Sequence, residues 1–393
     1  MPTARPITAL LYVQHLLGIG HLVRAGALAR GLEAAGIRVI LVSGGMPVPV
    51  LHIGAGISRF EQLPPVRAED ETFKSLVDES GNPVDDAWKA QRCERLSAIF
   101  HRARPDIVLT ELYPFGRRQM RFEIEPMLEH ARTLRERTGL PVIASSVRDI
   151  LVPPAKVGRT EEIIERVRHY YDLVLTHGDE SVIPFERSFA RAGEIADITH
   201  STGYVVASVP ARQGPGSPGY DEVIVSAGGG AVSEDLLQAA IGARALCDLR
   251  ERIWRVLIGH NYPQAAFLAC RAAAPAGVLV ERTRSDFTQL LANCALSISQ
   301  GGYNTVTEIL ATGARAVCLP FAGGRESEQA LRCRLLAERG ALQVVERDVL
   351  CAEQVALAVG RALESQPAQG HVVDTDGAAR SAALLLEAVQ RKK

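Results

Sequence analysis

The stretch from Ala295 to Gln329 constrains this chain more than any other. Its apolar run Ala295-Leu296-Ser297-Ile298-Ser299 reads as a short buried strand and ends in Gln300-Gly301-Gly302, where glycine supplies the backbone freedom of a sharp turn. A helix follows at once. Asn304 or Thr305 is placed to cap it, Glu308 stands three residues after Thr305, and Gly313 occupies the position of a left-handed C-terminal cap. Ala316 to Phe321 reads as the next parallel strand, and the loop after it leads into a helix with Glu328 and Gln329 in its first turn. A strand, a tight turn and a helix in this order aim backbone N–H groups and the positive end of a helix dipole at one spot, which suits a phosphate. Ligands of open α/β sheets sit beyond the carboxyl ends of the strands, so Gln300, Asn304, Thr305, Glu308, Glu328 and Gln329 are expected at one crevice. Thr305 and Glu308 by themselves make a capping box, which needs no ligand.

The N-terminal half opens on the same theme. Residues 7–13 read as a strand, His15 to Gly20 as a loop, Val23 to Ala35 as a helix stopped by Gly36, and Arg38 to Ser43 as a second strand. Gly18-Ile19-Gly20-His21 lacks the third glycine of a dinucleotide fingerprint, and Ser43-Gly44-Gly45 puts no acid after the second strand. A nicotinamide cofactor is therefore disfavoured, and no cofactor is expected. In the C-terminal half, a strand from Glu222 to Ser226 runs into Gly228-Gly229-Gly230 and then a helix from about Ser233. Three glycines at a helix start let a diphosphate approach the backbone without a metal. Further strands are expected at 106–110, 141–144 and 173–176 in the first half, and at 253–259 and 277–280 in the second. The first-half strands run into Glu111, into Arg148-Asp149 and into His177, at the edge where ligands bind. Arg117, Arg118 and Arg121 follow Glu111 and fit either an anion-binding loop or a solvated helix face. Leu63 to Ala87, rich in acids and prolines, is expected as a mobile excursion over the site.

Composition narrows the class. A chain of 393 residues, 47% hydrophobic and 23% charged, has the makeup of a soluble protein with room for two domains. Its net charge of -1 gives no global attraction to nucleic acid. The seven cysteines are scattered without C-x-x-C spacing and read as buried thiols of a reducing compartment. His15, His21 and Arg24 interrupt the apolar N-terminal stretch before it reaches membrane-spanning length. The expected location is the cytoplasm, with a peripheral contact at the inner membrane face compatible with it. Asp374-Thr375-Asp376 reads as the cap of a last helix, and no metal site is expected. The Pro- and Gly-rich run at 211–220 reads as a linker between residues 1–210 and 221–375, with 376–393 expected to pack back on the first domain.

The string Gln300-Gly301-Gly302-Tyr303-Asn304-Thr305-Val306-Thr307-Glu308, followed by Glu328-Gln329, resembles the donor-site signature of GT-B glycosyltransferases. It is similar both to the MurG-like, family 28 type and to the UDP-glycosyltransferases. Gly20-His21 resembles the loop that opens their acceptor domain. The resemblance implies an α/β fold with two Rossmann-like, doubly wound domains facing a central cleft. It implies an inverting, metal-independent transfer of a sugar from a nucleotide diphosphate sugar, a UDP-sugar by the same likeness, to a hydroxyl of an acceptor. Lipid-linked saccharides, polysaccharide intermediates and small metabolites all fit as acceptors. On this reading Gln300, Gly301, Gly302, Asn304 and Thr305 hold phosphate together with Gly228, Gly229 and Gly230. Glu308 takes the ribose, Glu328 and Gln329 take the sugar, and the backbone near Thr283 and Arg284 reads the base. His21 is the base, Glu111 its orienting partner with Asp149 in reserve, and Gly20, Arg117, Arg118 and Arg148 face the acceptor. Gln300 stands where the plant-type signature has histidine. A nucleotide-sugar 2-epimerase of the same fold and a non-catalytic sugar-nucleotide-binding subunit are the rival readings.

Overall fold

A computed structural model describes residues 5–48, 53–70, 75–152, 158–206, 208–227, 234–260, 262–321, 328–365 and 373–393. The chain divides into two compact units, Met1–Val205 with Asp376–Lys393, and Val206–Thr375.

In the first unit β1 (Thr8–Val13), β2 (Arg38–Ser43) and β3 (Arg59–Gln62) are followed by a small antiparallel pair, β4 (Val66–Ala68) and β5 (Leu76–Asp78). Then come β6 (Ile107–Glu111), β7 (Val142–Arg148), β8 (Leu173–His177) and β9 (Thr199–Ser201). Apart from β4 and β5 they form one parallel sheet in the order β3-β2-β1-β6-β7-β8-β9. Runs such as Ala9 to Val13 are buried throughout because helices cover both faces, as a parallel sheet requires. The helices are α1 (Gly20–Ala34), α2 (Asp86–Ala103), α3 (Arg121–Thr138) and α4 (Arg159–Tyr170). The strand order reverses between β1 and β6, which makes their carboxyl ends the switch point where ligands of such sheets bind.

The expected excursion at 63–87 is partly a built element. Val66 and Ala68 of β4 lie in the core, and Arg92 of α2 donates to the carbonyl of Pro64. Arg92 is fully buried, paired with Glu123 of α3 and donating to the Gln14 side chain and, at 2.9 Å, to the Gly44 carbonyl. Tyr12 of β1 donates to the same Glu123. This network fixes the chain where it leaves β1, just ahead of α1. Such a buried pair holds register as long as both partners stay.

The second unit carries β10 (Val223–Ser226), β11 (Trp254–Ile258), β12 (Val278–Arg282), β13 (Leu296–Gln300), β14 (Ala316–Leu319) and β15 (Gln343–Val344). They form a parallel sheet ordered β12-β11-β10-β13-β14-β15, with a second switch point between β10 and β13. Its helices are α5 (Glu234–Ala243), α6 (Gln264–Ala272), α7 (Phe287–Asn293), α8 (Tyr303–Thr312), α9 (Glu328–Glu338) and α10 (Ala352–Glu364). Residues 211–220, read as a linker, belong to this unit. Asn293 accepts from the Gln213 N–H at 2.8 Å and donates to the Pro218 carbonyl at 2.8 Å.

The last helix, α11 (Gly377–Lys392), counts with the first unit and packs Ala382, Leu385 and Val389 into its core. Gly31 of α1 makes the approach possible, since a Cβ there would fall 2.4 Å from the Cβ of Ala378. Asp376 sits at the N-cap position of α11 without a side-chain capping bond, so D-x-D is not the cap it was read as. All seven cysteines are free, but only four are buried; Cys93 and Cys270 are half-buried and Cys351 is exposed. No helix among the described residues is long and apolar enough to cross a membrane.

Candidate active site

At the first switch point, two residues far apart in sequence meet. His21 Nδ1 lies 2.8 Å from Glu111 Oε1. α1 begins at Gly20, earlier than the pattern suggested, and its N-cap Ile19 makes no side-chain bond. His21 therefore does not cap the helix. Arg24, one turn further along the same face, reaches the same Glu111 oxygen, and both residues are buried. Burial alone would push the Glu111 carboxyl up, but His21, Arg24 and Arg117 outweigh it and hold it at about 2. Burial lowers the His21 imidazole to about 3 against the pull of Glu111. The ring is thus neutral near pH 7, its Nδ1–H donated to the carboxylate and Nε2 left as a proton acceptor. His21 keeps 16% of its side-chain surface open to solvent.

The other residues expected in this unit divide. Arg117, with φ of 59°, turns inward, and its Nε donates to the Gln14 carbonyl at 2.6 Å. Burial lowers its pKa, with Glu111 opposing. Arg118 stays at the surface, 41% exposed and 3.9 Å from Glu162, and Arg121 is exposed at the start of α3. Arg118 and Arg121 thus lie on a solvated face, and Arg117 does not. Gly20 is the first residue of α1, Arg148 the last of β7. Asp149 accepts from the Ile150 N–H at 2.8 Å; the orienting bond to His21 comes from Glu111. His177 does not line a cleft. It is fully buried, with Nε2 2.7 Å from Ser146 Oγ and Nδ1 2.9 Å from Thr202 Oγ1, so both ring nitrogens are used to brace β7 and β8.

At the second switch point β13 delivers Gln300 to its end. α8 starts at Tyr303 with Gly302 as N-cap and no side-chain cap. Asn304 and Thr305 are hence inside the first turn, and the capping box expected of Thr305 and Glu308 does not form. Glu308 instead accepts from Thr288 Oγ1 of α7 at 3.0 Å, and burial pushes its carboxyl up to about 7. Gly313 does close the helix in the left-handed conformation, with φ of 67°. The two glycines of the turn serve other ends than backbone freedom, for neither has a positive φ. A Cβ on Gly301 would fall 2.4 Å from Cys333 Sγ, whereas one on Gly302 would meet nothing within 4 Å. The first glycine is a packing requirement and the second leaves the helix N-terminus open.

Other residues expected at the donor site have partners within the unit. Glu328 is buried and bonded at 3.2 Å by Arg332, itself fully buried, and Gln329 Oε1 accepts from the Phe321 N–H at 3.0 Å. Both side chains, expected on sugar hydroxyls, are engaged within the unit. The Thr283 N–H is donated to the Ile258 carbonyl at 3.0 Å. Arg284 closes a two-pronged pair with Asp286 at 2.8 and 2.7 Å. Gly228, Gly229 and Gly230 lie outside the described residues. Arg24, Thr288 and Arg332 went unmarked in the sequence. Only Arg24 left a signal there, the one charge among residues 20–29 of an Ala- and Leu-rich helix and one turn after His21.

Two parallel sheets of this order, each flanked by helices and each with polar side chains at its switch point, define a GT-B protein. Residues 225–380 match the model of the glycosyltransferase family 28 C-terminal domain, and the fold is similar to that of MurG. Among curated relatives, the "UDP-N-acetylglucosamine--N-acetylmuramyl-(pentapeptide) pyrophosphoryl-undecaprenol N-acetylglucosamine transferase" of Albidiferax ferrireducens is 34% identical over 27% of this chain and 30% of its own length. The chain thus spans about a third of the first relatives it matches. The crystal structure of Acinetobacter baumannii MurG aligns over 97% of this chain and 100% of its own, with 15% identity and a TM-score of 0.55. A putative UDP-N-acetylglucosamine 2-epimerase from Listeria monocytogenes aligns over 98% of this chain and 96% of its own, with 12% identity and a TM-score of 0.61. At these identities the structural likeness speaks to the fold alone.

Proposed function

We propose that the protein is an inverting glycosyltransferase that moves a sugar from a nucleotide diphosphate sugar, a UDP-sugar, to an acceptor hydroxyl without a divalent metal. The observation that carries this reading is the His21–Glu111 pair. A neutral imidazole whose Nδ1–H is fixed on a buried carboxylate presents Nε2 as a base and gains a stabilising partner once protonated. In a single displacement, Nε2 takes the acceptor proton while the oxygen bonds the anomeric carbon. The bond from that carbon to the diphosphate breaks, and the leaving group carries away the electron pair. The open N-terminus of α8 at Gly302, with Asn304 and Thr305, is suited to the charge growing on the diphosphate, and Glu308 to the ribose hydroxyls. Arg117 and Arg148 make the acceptor side electropositive. The relatives' names, which contain a UDP-sugar and a lipid diphosphate, support the same donor and a lipid-linked acceptor; such an acceptor would bring the chain to the inner membrane face of the cytoplasm as a peripheral contact.

The test is to incubate the pure chain with UDP-, dTDP- and GDP-sugars, with and without a lipid-diphosphate saccharide, in EDTA and in magnesium. Acceptor-dependent release of nucleoside diphosphate that survives EDTA is expected. Acceptor-independent exchange of solvent deuterium into the sugar would instead make the protein an epimerase.

A further inference from the structure

At the carboxyl edge of the second unit's sheet, a cavity has apolar walls that include Leu236, Pro320, Phe321 and Leu350, and two polar side chains, Gln300 and Arg347. Gln300 ends β13. Arg347 opens the short turn Arg347–Val349 that follows β15, so the topology brings to one cavity two residues that the sequence keeps apart. The guanidinium of Arg347 lies over the Phe321 ring, 5.7 Å from its centroid. Its nearest carboxylate is that of Asp235 at 3.8 Å, on a side chain 73% exposed; a pair so long and so wet is worth little.

The other arginines of this edge are committed. Arg282 donates to the carbonyls of Gly259 and Tyr262, Arg284 is closed on Asp286, and Arg332 is bonded to buried Glu328. Of these four, Arg347 is the one whose guanidinium makes no hydrogen bond to a protein oxygen among the described residues. An apolar wall on one side lowers the local dielectric and strengthens whatever ion pair the guanidinium makes. Its planar fork matches a phosphate or a carboxylate with two parallel bonds.

We propose that Arg347 is an anion ligand of the donor site, acting with Gln300 on the charged part of the nucleotide sugar. The inference rests on the donor-site reading of this unit and adds to it a side-chain cation. The donor offers two anions of the same recognition chemistry, its diphosphate and, in a glycuronic acid, a carboxylate on the sugar.

Calorimetric titration of the full chain, its Arg347→Ala variant and its Arg347→Lys variant with UDP, UDP-N-acetylglucosamine and UDP-glucuronic acid tests it. Arg347 is 42% exposed at its side chain, and a melting curve on each variant checks the fold. Loss of this contact should weaken binding roughly 10- to 100-fold in Arg347→Ala, with part of the loss recovered in Arg347→Lys. A loss for all three ligands assigns the diphosphate; a loss for UDP-glucuronic acid alone assigns the sugar carboxylate. Equal affinities of wild type and Arg347→Ala for every ligand overturn the proposal while leaving the donor site standing. A wild-type chain that binds none of the three, nor dTDP or GDP, overturns the donor-site reading and this inference with it.

Discussion

Two carboxylates at the two switch points are tuned in opposite directions, and single substitutions separate their roles. Glu111 is held at about 2 and His21 at about 3, so the pair is an anion and a neutral ring across the working range. His21→Ala should lower turnover roughly 100- to 10,000-fold, the span for loss of a general base, while donor affinity stays near wild type. Steady-state kinetics with a melting curve decide; a variant that is less stable yet fully active would return His21 to a packing role. Glu308 is pushed up to about 7 by burial. The folded chain keeps its proton between about pH 4.5 and 7 where the unfolded chain has lost it, so this site favours folding most below 4.5 and loses that advantage as pH rises through 7. Glu308→Gln should therefore gain melting temperature relative to wild type on going from pH 5 to pH 8. Donor affinity of the wild type should rise over the same interval, because ribose hydroxyls donate to the ionised form, and the variant's should stay flat. Parallel curves for the two proteins would remove Glu308 from the ribose.

Among elements, the turn from β13 into α8 carries the sharpest contrast. Gly301 and Gly302 look alike in sequence, yet one faces Cys333 Sγ and the other open space. Gly301→Ala should cost about 1–3 kcal/mol of stability through overpacking, read as a lowered denaturation midpoint. Gly302→Ala should leave the midpoint unchanged and weaken nucleotide diphosphate binding, because its methyl group occupies the space before the helix N-terminus. The reverse assignment of the two effects would refute this account of the turn. The strand-turn-helix itself was legible, since an apolar run, a glycine pair and a helix stopped by glycine each follow from local rules. Where the helix begins was not. Thr305 and Glu308 carry the letters of a capping box, but α7 offers Glu308 the Thr288 hydroxyl, a partner that local spacing cannot reveal.

At the scale of the whole molecule the two units should respond to acid differently. In the first unit burial lowers His15 to about 4 and His21 and His177 to about 3. The unfolded chain binds these protons near 6.5, so their contribution to stability is complete above about 6.5 and is lost as pH falls toward 4. Three protons amount to about 4 kcal/mol per pH unit at the steepest. Glu308, in the second unit, works with the opposite sign. Calorimetric scans from pH 8 to 5.5 should show one transition falling steeply while another holds; two transitions falling together would contradict the assignment. The sequence by itself determined the alternation of strand and helix, the two Rossmann-like halves and the family signature, because apolar runs, glycines and helix stops are local and periodic. Only the tertiary structure decided the rest. It joined His21 to Glu111, Glu308 to Thr288 and Arg332 to Glu328, drew residues 211–220 into the second unit, and turned Arg117 inward while Arg118 stayed in solvent. Each of these depends on which strands are neighbours in the sheet and on what a buried charge can find to satisfy it, and neither is written in the spacing of residues along the chain.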